Sequence, residues 1–326
     1  AEDGCMHKAT VVIPNWNGMA YLEGCLSSLE SQTCRDFDII MVDNGSTDES
    51  VSFVREHYPR VRIYCLKENT GFCHAVNLGI RKSDAPYVIL LNNDTVCDER
   101  MVEELLAVIR RRPDCFSVQA KMVQLDHPDL LDDAGDYYCA LGWAFARGKG
   151  KDSSLYRDEC RIFASCAGAA VYRRDLLDRI GLLDEKHFAY LEDMDLGYRA
   201  RIAGYENRFA PASVVYHAGS GASGSRYNAF KVRLSSRNSI YLIYKNMPLL
   251  QILLNLPLLT CGFAVKALFF ARQGLAGEYL RGLLKGFGMC NKENKVIFRK
   301  ENLPHYIRIQ LELWINVVRR LTDTPR

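Results

Sequence analysis

The sequence predicts an α/β protein with a mostly parallel, open β-sheet flanked by helices, followed by a helical C-terminal segment. Short apolar runs alternate with segments of helical period through the first half of the 326 residues. Several of these runs end in polar clusters such as DNGSTD and NND. The last hundred residues lose this alternation and mix long aliphatic stretches with basic residues. We therefore predict one main domain over residues 1–240 and an appended segment over residues 241–326.

Four wholly or mainly apolar runs predict the parallel strands. They are Ala9 to Pro14, Phe37 to Val42, Val61 to Leu66 and Tyr87 to Leu91. Between the first two, Leu22, Cys25, Leu26 and Leu29 recur at helical spacing. Right-handed crossovers would stack the four strands into one sheet whose carboxyl ends share an edge.

The remaining elements are less regular. Ser46 and Glu49 have capping-box spacing and predict a helix start, and a later helix is expected to end before Pro113. Residues 123–160 show no clear period and no order is predicted for them. Strands are expected near residues 163–174 and 213–217, with a helix ended by Gly204 between them.

Composition favours a globular protein in a reducing compartment. The chain is 48% hydrophobic and 25% charged, and its twelve cysteines are scattered without metal-ligand spacing. The polar start leads directly into the first apolar run, so no signal peptide is expected and a cytoplasmic location is predicted.

Charge is distributed unevenly along the chain. Residues 226–326 contain 17 Lys and Arg against 5 Asp and Glu, whereas the whole chain has a net charge of only +3. The basic residues alternate with aliphatic and aromatic stretches, which favours an anionic membrane surface over nucleic acid as the partner.

Asp94 and His217 are the first candidates for a functional site. Asp94 follows an apolar strand, where its carboxylate would bind a divalent cation that bridges to a diphosphate, and His217 ends another apolar strand with an imidazole that suits Mn²⁺ or a similar ion. The alternatives are that Asp94 caps a turn and that His217 is a structural histidine.

Other polar residues at strand and helix ends extend this candidate site. Asp43 would accept hydrogen bonds from a base or ribose, although DNGSTD also suits an ordinary turn. Asn69, Gly71 and Asn77 are weaker candidates. Glu192 and Asp193 lie in an acidic cluster at a predicted helix start, where they either cap the helix or hold a carboxylate that removes a proton from a hydroxyl; we favour Asp193 as that base.

Seven motifs in order resemble family-2 glycosyltransferases of the GT-A fold. They are VVIPNWNG, VDNGSTD, ENTGF, LLNND, CAGAAVYRR, YLEDMD and VVYH, and the resemblance covers roughly residues 8–240. It is closest to bacterial rhamnosyltransferase-like and galactofuranosyltransferase-like enzymes that extend polysaccharides. In that family the strand-four motif is D-x-D, whereas this chain has Asn92-Asn93-Asp94.

The resemblance implies a metal-dependent, inverting transfer from a UDP- or dTDP-linked sugar, possibly dTDP-rhamnose, to a glycan or lipid-linked glycan. Asp94 and His217 would hold Mn²⁺ or Mg²⁺, and Asp193, beside Glu192, would be the general base. The residues implied to bind the nucleotide sugar are Pro14, Asn15, Asn17, Asp43, Asn69, Gly71, Asn77, Asn92, Asn93, Gly168, Ala169 and Arg226. Arg226 follows the glycine-rich stretch AGSGASGS, which is expected to act as a lid.

A stretch of twenty uncharged residues, 246–265, opens the C-terminal segment. Because it contains two prolines and three amide side chains, we favour a helical hairpin lying in the membrane interface. A membrane-spanning helix and a buried core or homodimer element remain open. The predicted location is therefore cytoplasmic, on the inner face of the cell membrane.

Two rival functions remain open. A catalytically idle scaffold of the same fold is compatible with Asn92, and a sugar nucleotidyltransferase would share the open α/β sheet. The latter needs a glycine-rich basic loop after the first strand, and NWNGMAYLEG has no Lys or Arg.

Overall fold

A computed structural model describes residues 8–219 and 227–322 of the chain. The strands are β1 (Ala9–Asn15), β2 (Phe37–Asp43), β3 (Arg62–Cys65), β4 (Tyr87–Leu91), β5 (Thr95–Cys97), β6 (Cys115–Gln124), β7 (Leu131–Asp133), β8 (Asp136–Cys139), β9 (Trp143–Ala146), β10 (Cys160–Ile162), β11 (Ala169–Arg173) and β12 (Glu206–His217). The α-helices are α1 (Met19–Glu30), α2 (Ser50–His57), α3 (Phe72–Lys82), α4 (Met101–Arg110), α5 (Arg174–Ile180), α6 (Glu192–Ile202), α7 (Ala229–Asn246), α8 (Leu249–Arg272), α9 (Ala276–Gly288) and α10 (Leu303–Thr322).

The predicted fold class is confirmed. The large sheet has the order β10-β12-β6-β11-β4-β1-β2-β3. Strands β4, β1, β2 and β3 are parallel, as the four apolar runs predict. The sheet is mixed because β11 runs antiparallel to both β4 and β6. Wholly apolar strands suit such a sheet, since helices cover both of its faces.

One helix start was predicted wrongly. Ser46 does not cap α2, which begins at Ser50; instead the Ser46 hydroxyl accepts a hydrogen bond from the Asn17 amide at 2.8 Å. The N-cap residue is Glu49, which makes no side-chain cap bond, and the Asp48 carboxylate before it accepts from the Ser50 amide at 3.1 Å. The capping-box spacing was misleading because Ser46 belongs to a turn that joins the β1 and β2 loops.

Part of the segment 123–160, for which no elements were predicted, forms a small second sheet. Strands β8 and β9 make an antiparallel hairpin with Gly142 in the turn at φ 72°. Asn316 on α10 donates to the Tyr138 carbonyl at 2.8 Å, and Trp143 donates to the Gly262 carbonyl on α8 at 3.1 Å. The hairpin is therefore held between the main sheet and the C-terminal helices.

The C-terminal helices share a core with the sheet domain. Leu242, Leu259 and Leu313 are buried in the same cluster as Tyr138 and Tyr198. The domain boundary expected at residue 240 falls inside α7. The division into a catalytic and a membrane-surface part stays a prediction.

Residues 246–265 do not form a hairpin by themselves. From Leu249 to Arg272 they belong to one continuous helix with Pro257 inside, and the chain turns back only at Gly274. This helix is long and apolar enough to cross a membrane, and 17% of its most apolar window is buried. A Cβ on Gly262 would lie 2.1 Å from the Leu141 carbonyl oxygen, so glycine lets α8 pack directly on the hairpin.

Candidate functional site

A cavity of about 1070 Å³ opens at the carboxyl ends of β1 and β4. Ligands of open α/β sheets bind at this edge, where loops and helix N-termini meet. Ten of the residues expected from the sequence line it: Pro14, Asn15, Asn69, Asn92, Asn93, Asp94, Gly168, Glu192, Asp193 and His217.

Buried amides and a carboxylate fix one wall of the cavity. Asn15 donates to Asp43 at 2.9 Å and accepts from Asn93 at 2.7 Å, and the Ser46 amide donates to the second Asp43 oxygen at 3.0 Å. Asn15, Asp43 and Asn93 are all buried. Asp43 therefore lies directly behind the lining residue Asn15 and sets its orientation.

Asp94 and His217 lie next to each other in the same cavity. The Nε2 atom of His217 lies 3.3 Å from Asp94 Oδ1, and its Nδ1 atom lies 2.8 Å from Asp132 Oδ2. Lys149 in turn lies 2.6 Å from Asp132 Oδ1. Burial by itself would lower the pKa of His217, but the hydrogen bonds to Asp132 and Asp94 raise it to about 9. Burial raises the pKa of Asp132, yet its bonds to His217 and Lys149 lower it to about 2.

This geometry fits a divalent cation. Two ligand atoms bound to one ion at about 2.1 Å stand roughly 3 Å apart when their bonds are perpendicular, close to the observed Asp94–His217 separation. A ligating histidine usually donates its other N–H to a carboxylate, which fixes the tautomer, and Asp132 lies where that carboxylate is needed.

The acidic start of α6 forms another wall. Glu192 and Asp193 line the cavity. Burial and the neighbouring Asp193 raise the pKa of Glu192 to about 8. Burial also raises the pKa of Asp193, while backbone N–H groups of Met194 and Ala167 oppose that rise. Among the residues that the structure describes, the buried Glu192 Oε2 atom has no hydrogen-bond partner.

Strands β7 and β8 add two acids that were not predicted from the sequence, Asp133 and Asp136. Asp136 lines the cavity, and ligand atoms of Asp133, Asp136 and Cys166 lie within 4.8 Å of one another. Burial raises the pKa of Asp133 to about 6, and burial followed by the charge of Asp133 raises that of Asp136 well above its usual range. The available signal was the aromatic alternation on either side of Gly142, which is typical of a hairpin.

A strained loop leads into the acidic helix. Phe188, Tyr190 and Leu191 all have positive φ angles between 65° and 69°, a conformation that L-residues rarely adopt. Asn238 on α7 holds this loop: its amide donates to the carbonyls of His187, Ala189 and Tyr190 at 3.0, 2.8 and 2.8 Å. Residues 188–194 then lie along the cavity.

Five expected residues do not line the cavity. The Asn17 side-chain oxygen accepts a hydrogen bond from the Thr47 amide at 2.8 Å. Ala169 is buried in the core. The buried Asn77 amide donates to the Leu183 carbonyl and the Glu185 carboxylate at 2.8 and 2.9 Å, away from the cavity lining. Gly71, at φ 94°, is the N-cap residue of α3 and packs against Phe188, since a Cβ there would lie 2.6 Å from the ring. Asp43 lies behind Asn15, as described above.

The expected phosphate-binding Arg226 lies outside the described residues, as does most of the glycine-rich stretch before it.

Two solved structures share this fold, and one of them was determined with UDP and Mn²⁺ bound. GalNAc-T7 with UDP, GalNAc and Mn²⁺ superimposes with a TM-score of 0.59 at 17% identity, covering 74% of this chain and 48% of that one. Residues 1–349 of Staphylococcus aureus TarS superimpose with a TM-score of 0.50 at 15% identity, covering 92% and 78% of the two chains. These likenesses establish the GT-A-type fold.

Sequence comparison finds relatives of higher identity among the curated proteins. The chain is 28% identical over 234 residues to an N-acetylglucosaminyl-diphospho-decaprenol L-rhamnosyltransferase of Mycobacterium tuberculosis, covering 64% of this chain and 75% of the relative. It is 33% identical over 93 residues to a teichoic acid poly(glycerol phosphate) polymerase of Staphylococcus epidermidis, covering 27% of this chain and only 13% of that one. The model of glycosyl transferase family 2 matches residues 10–181, more than half of the chain, and the chain therefore belongs to that family.

Proposed function

We propose that this glycosyltransferase moves a sugar, with inversion, from a nucleoside-diphosphate sugar to a glycan or lipid-linked glycan in cell-surface polysaccharide synthesis. The observation that carries the proposal is the meeting of Asp94 and His217, 3.3 Å apart, in the cavity that Asp193 also lines. A cation ligand pair and a carboxylate base in one cavity are the groups that such a displacement requires.

The donor would lie along the wall formed by β1 and β2. Asn15, oriented by Asp43, offers hydrogen-bond capacity to a base or ribose, and Asn92 and Asn93 face the same cavity. Mn²⁺ or Mg²⁺ held by Asp94 and His217 would neutralise the departing diphosphate. A UDP- or dTDP-linked sugar is proposed, with dTDP-rhamnose as the first candidate because of the mycobacterial relative.

Asp193 would act on the acceptor. A carboxylate whose pKa is raised by burial is a stronger base than an exposed one, and Asp193 remains fixed by the backbone of Met194. It would take the proton of the attacking hydroxyl in one displacement, so no covalent sugar–enzyme intermediate is required. Glu192 would support it by keeping its own proton, which avoids a second charge beside the base.

The C-terminal helices would hold the enzyme at an anionic membrane surface. Of the 24 large hydrophobic side chains that are exposed among the described residues, 20 lie between Leu249 and Leu321. On α10 they recur every three to four residues: Leu303, Ile307, Leu311, Trp314, Ile315, Val318 and Leu321. Polar contacts tie α8 to the rest of the protein, including Tyr198 to Gln251 at 3.0 Å and Asn255 to Gln310 at 2.8 Å. These ties favour a helix lying on the membrane over one that leaves the protein to span it.

Thermal stabilisation by a panel of nucleotides and nucleotide sugars, with and without Mn²⁺, tests the proposal. We expect a Mn²⁺-dependent rise in Tm with a uridine or thymidine diphosphate, slow hydrolysis of one sugar donor, and loss of both in Asp94→Asn. Asp98→Asn, which changes a carboxylate outside the cavity lining, is the matched control. If no nucleotide stabilises the parent protein, or if Asp94→Asn behaves like the control, the metal-dependent transfer is refuted and an idle scaffold becomes the better explanation.

A further inference from the structure

One face of the β8–β9 hairpin gathers three cations. Tyr137 pairs with Phe145 and Cys139 with Trp143, so these four side chains share a face of the hairpin. Arg319 lies over the Tyr137 ring at 5.0 Å from its centroid, Arg320 over Phe145 at 5.7 Å, and Lys266 over Trp143 at 5.7 Å. Basic residues from α8 and α10 therefore converge on the same aromatic surface.

None of these three cations forms an ion pair with a carboxylate among the described residues, and two of them form no hydrogen bond either. Arg319 donates to Asn316 at 2.9 Å, but Lys266 and Arg320 form neither a hydrogen bond nor an ion pair within residues 8–219 and 227–322. Burial, assisted by the charge of Arg320, lowers the pKa of Lys266 to about 8.

Other buried cations of this protein are paired. Lys245 lies 2.7 Å from Asp184 and 2.9 Å from Asp195. Arg208 lies 2.9 Å from Glu159 and 2.8 Å from Glu206. A partly buried cation without such a partner is costly, and a like-charged neighbour adds to that cost. An anion bound between Lys266 and Arg320 would remove both penalties.

The surroundings indicate which anion fits. Exposed apolar side chains flank the two cations: Val265 and Leu268 on α8, and Val318 and Leu321 on α10. Phe145, whose ring lies under the Arg320 guanidinium, also lines the large cavity. The cation pair therefore has exposed apolar side chains next to it along both helices, and Arg320 contacts a ring that lines the proposed site of transfer. This combination matches a molecule with a lipid tail, a charged linker and a sugar.

We propose that Lys266 and Arg320 bind the phosphate or diphosphate linker of a membrane-anchored acceptor. Its lipid lies against the apolar faces of α8 and α10, and its sugar passes Phe145 into the cavity. This inference rests on the proposed sugar transfer and names the acceptor class for that same site. The linker draws the acceptor to the enzyme by charge-assisted hydrogen bonds, while the sugar remains free to meet Asp193.

Vesicle co-sedimentation tests the inference with the full chain. Neutral phosphatidylcholine vesicles carry either a long-chain polyprenyl diphosphate or, at equal surface charge, phosphatidylglycerol. We expect Lys266→Gln/Arg320→Gln to lose about tenfold or more in affinity for the prenyl diphosphate vesicles, as the removal of charge-assisted contacts predicts. The control Arg272→Gln/Lys285→Gln removes the same charge from exposed positions on α8 and α9 and should lose much less.

Two results would overturn the inference. One is unchanged binding of the double variant to prenyl diphosphate vesicles; the other is an equal loss on both kinds of vesicle, which would indicate general attraction to anionic lipid. Arg320→Gln alone repeats the comparison if the double variant does not fold. Nucleotide binding by the parent protein is measured separately, so the proposed function and the linker site can fail independently.

Discussion

Replacing Asn238 by Leu should disable the enzyme without unfolding it. Asn238 is fully buried, and its amide supports three carbonyls of the loop that carries Phe188, Tyr190 and Leu191 in the left-handed region. Leucine has a similar volume but no donor.

The magnitude follows from the bonds that are lost. A buried carbonyl deprived of its partner costs about 1–3 kcal/mol. The His187 carbonyl keeps Arg237 as a donor at 2.8 Å, so the main loss falls on Ala189 and Tyr190. A residue in the left-handed region costs roughly a further 1–2 kcal/mol. The loop keeps this conformation only while Asn238 holds it. A net loss of about 3 kcal/mol in loop positioning corresponds to roughly a hundredfold fall in kcat.

Steady-state turnover and nucleotide affinity separate positioning from folding. The kcat of Asn238→Leu should fall about a hundredfold, while the Kd for the nucleotide changes less than about threefold. Among the described residues, the side chains of Asn15 and Asp43 bond to each other, to Ser46 and to Asn93, and not to this loop. Ser239→Ala is the control: it removes a buried hydrogen bond, to the Ser235 carbonyl at 2.8 Å, on the same helix. A folded Asn238→Leu protein with unchanged kcat would refute the reasoning.

Three further predictions concern buried charge. Asp132→Asn should weaken Mn²⁺-dependent nucleotide binding about 10- to 100-fold, because the carboxylate that orients His217 is lost; Mn²⁺ titration of the thermal shift measures this. The pKa of Glu192 is near 4.5 in the unfolded chain and about 8 in the folded protein. The stability that the protonated side chain contributes is therefore present below pH 4.5 and is lost as the pH rises towards 8. Glu192→Gln should therefore raise Tm by a few degrees at pH 8 and not at pH 4.5, and a pH-independent Tm difference would contradict this. Asp195→Ala should cost about 3–5 kcal/mol in urea unfolding, since it leaves the buried Lys245 ammonium with one carboxylate fewer, and a loss below about 1 kcal/mol would count against a tightly coupled pair.

The sequence correctly predicted the elements that depend on local pattern. Strands β1, β2 and β4 were identified from wholly or mainly apolar runs, and the polar residues that end them line or support one cavity. This works because an apolar run of five to seven residues must be covered on both faces, and parallel strands bring their carboxyl ends to one edge.

Local pattern misled the prediction where neighbours distant in sequence decide the structure. Ser46 has the spacing of a helix cap, but its hydroxyl instead accepts a hydrogen bond from the Asn17 amide. Pro257 suggested a break, yet α8 continues through it, held by contacts of Asn255 and Leu259 with other helices. A proline inside a helix costs about 3 kcal/mol, and α8 nevertheless continues through Pro257 over its 24 residues.

By itself, the sequence determined the fold class, the position of the cavity edge and ten of the residues that line it, because these follow from hydrophobic period and strand order. Only the tertiary structure decided that Asp132 supports His217 across 85 residues, that Asp136 joins the acidic wall, and that Asn238 holds the strained loop. Such pairings depend on which distant segments pack together, and no short-range pattern encodes that choice. The same holds for Lys266 and Arg320, whose unpaired charges become visible only when α8 and α10 meet on the hairpin.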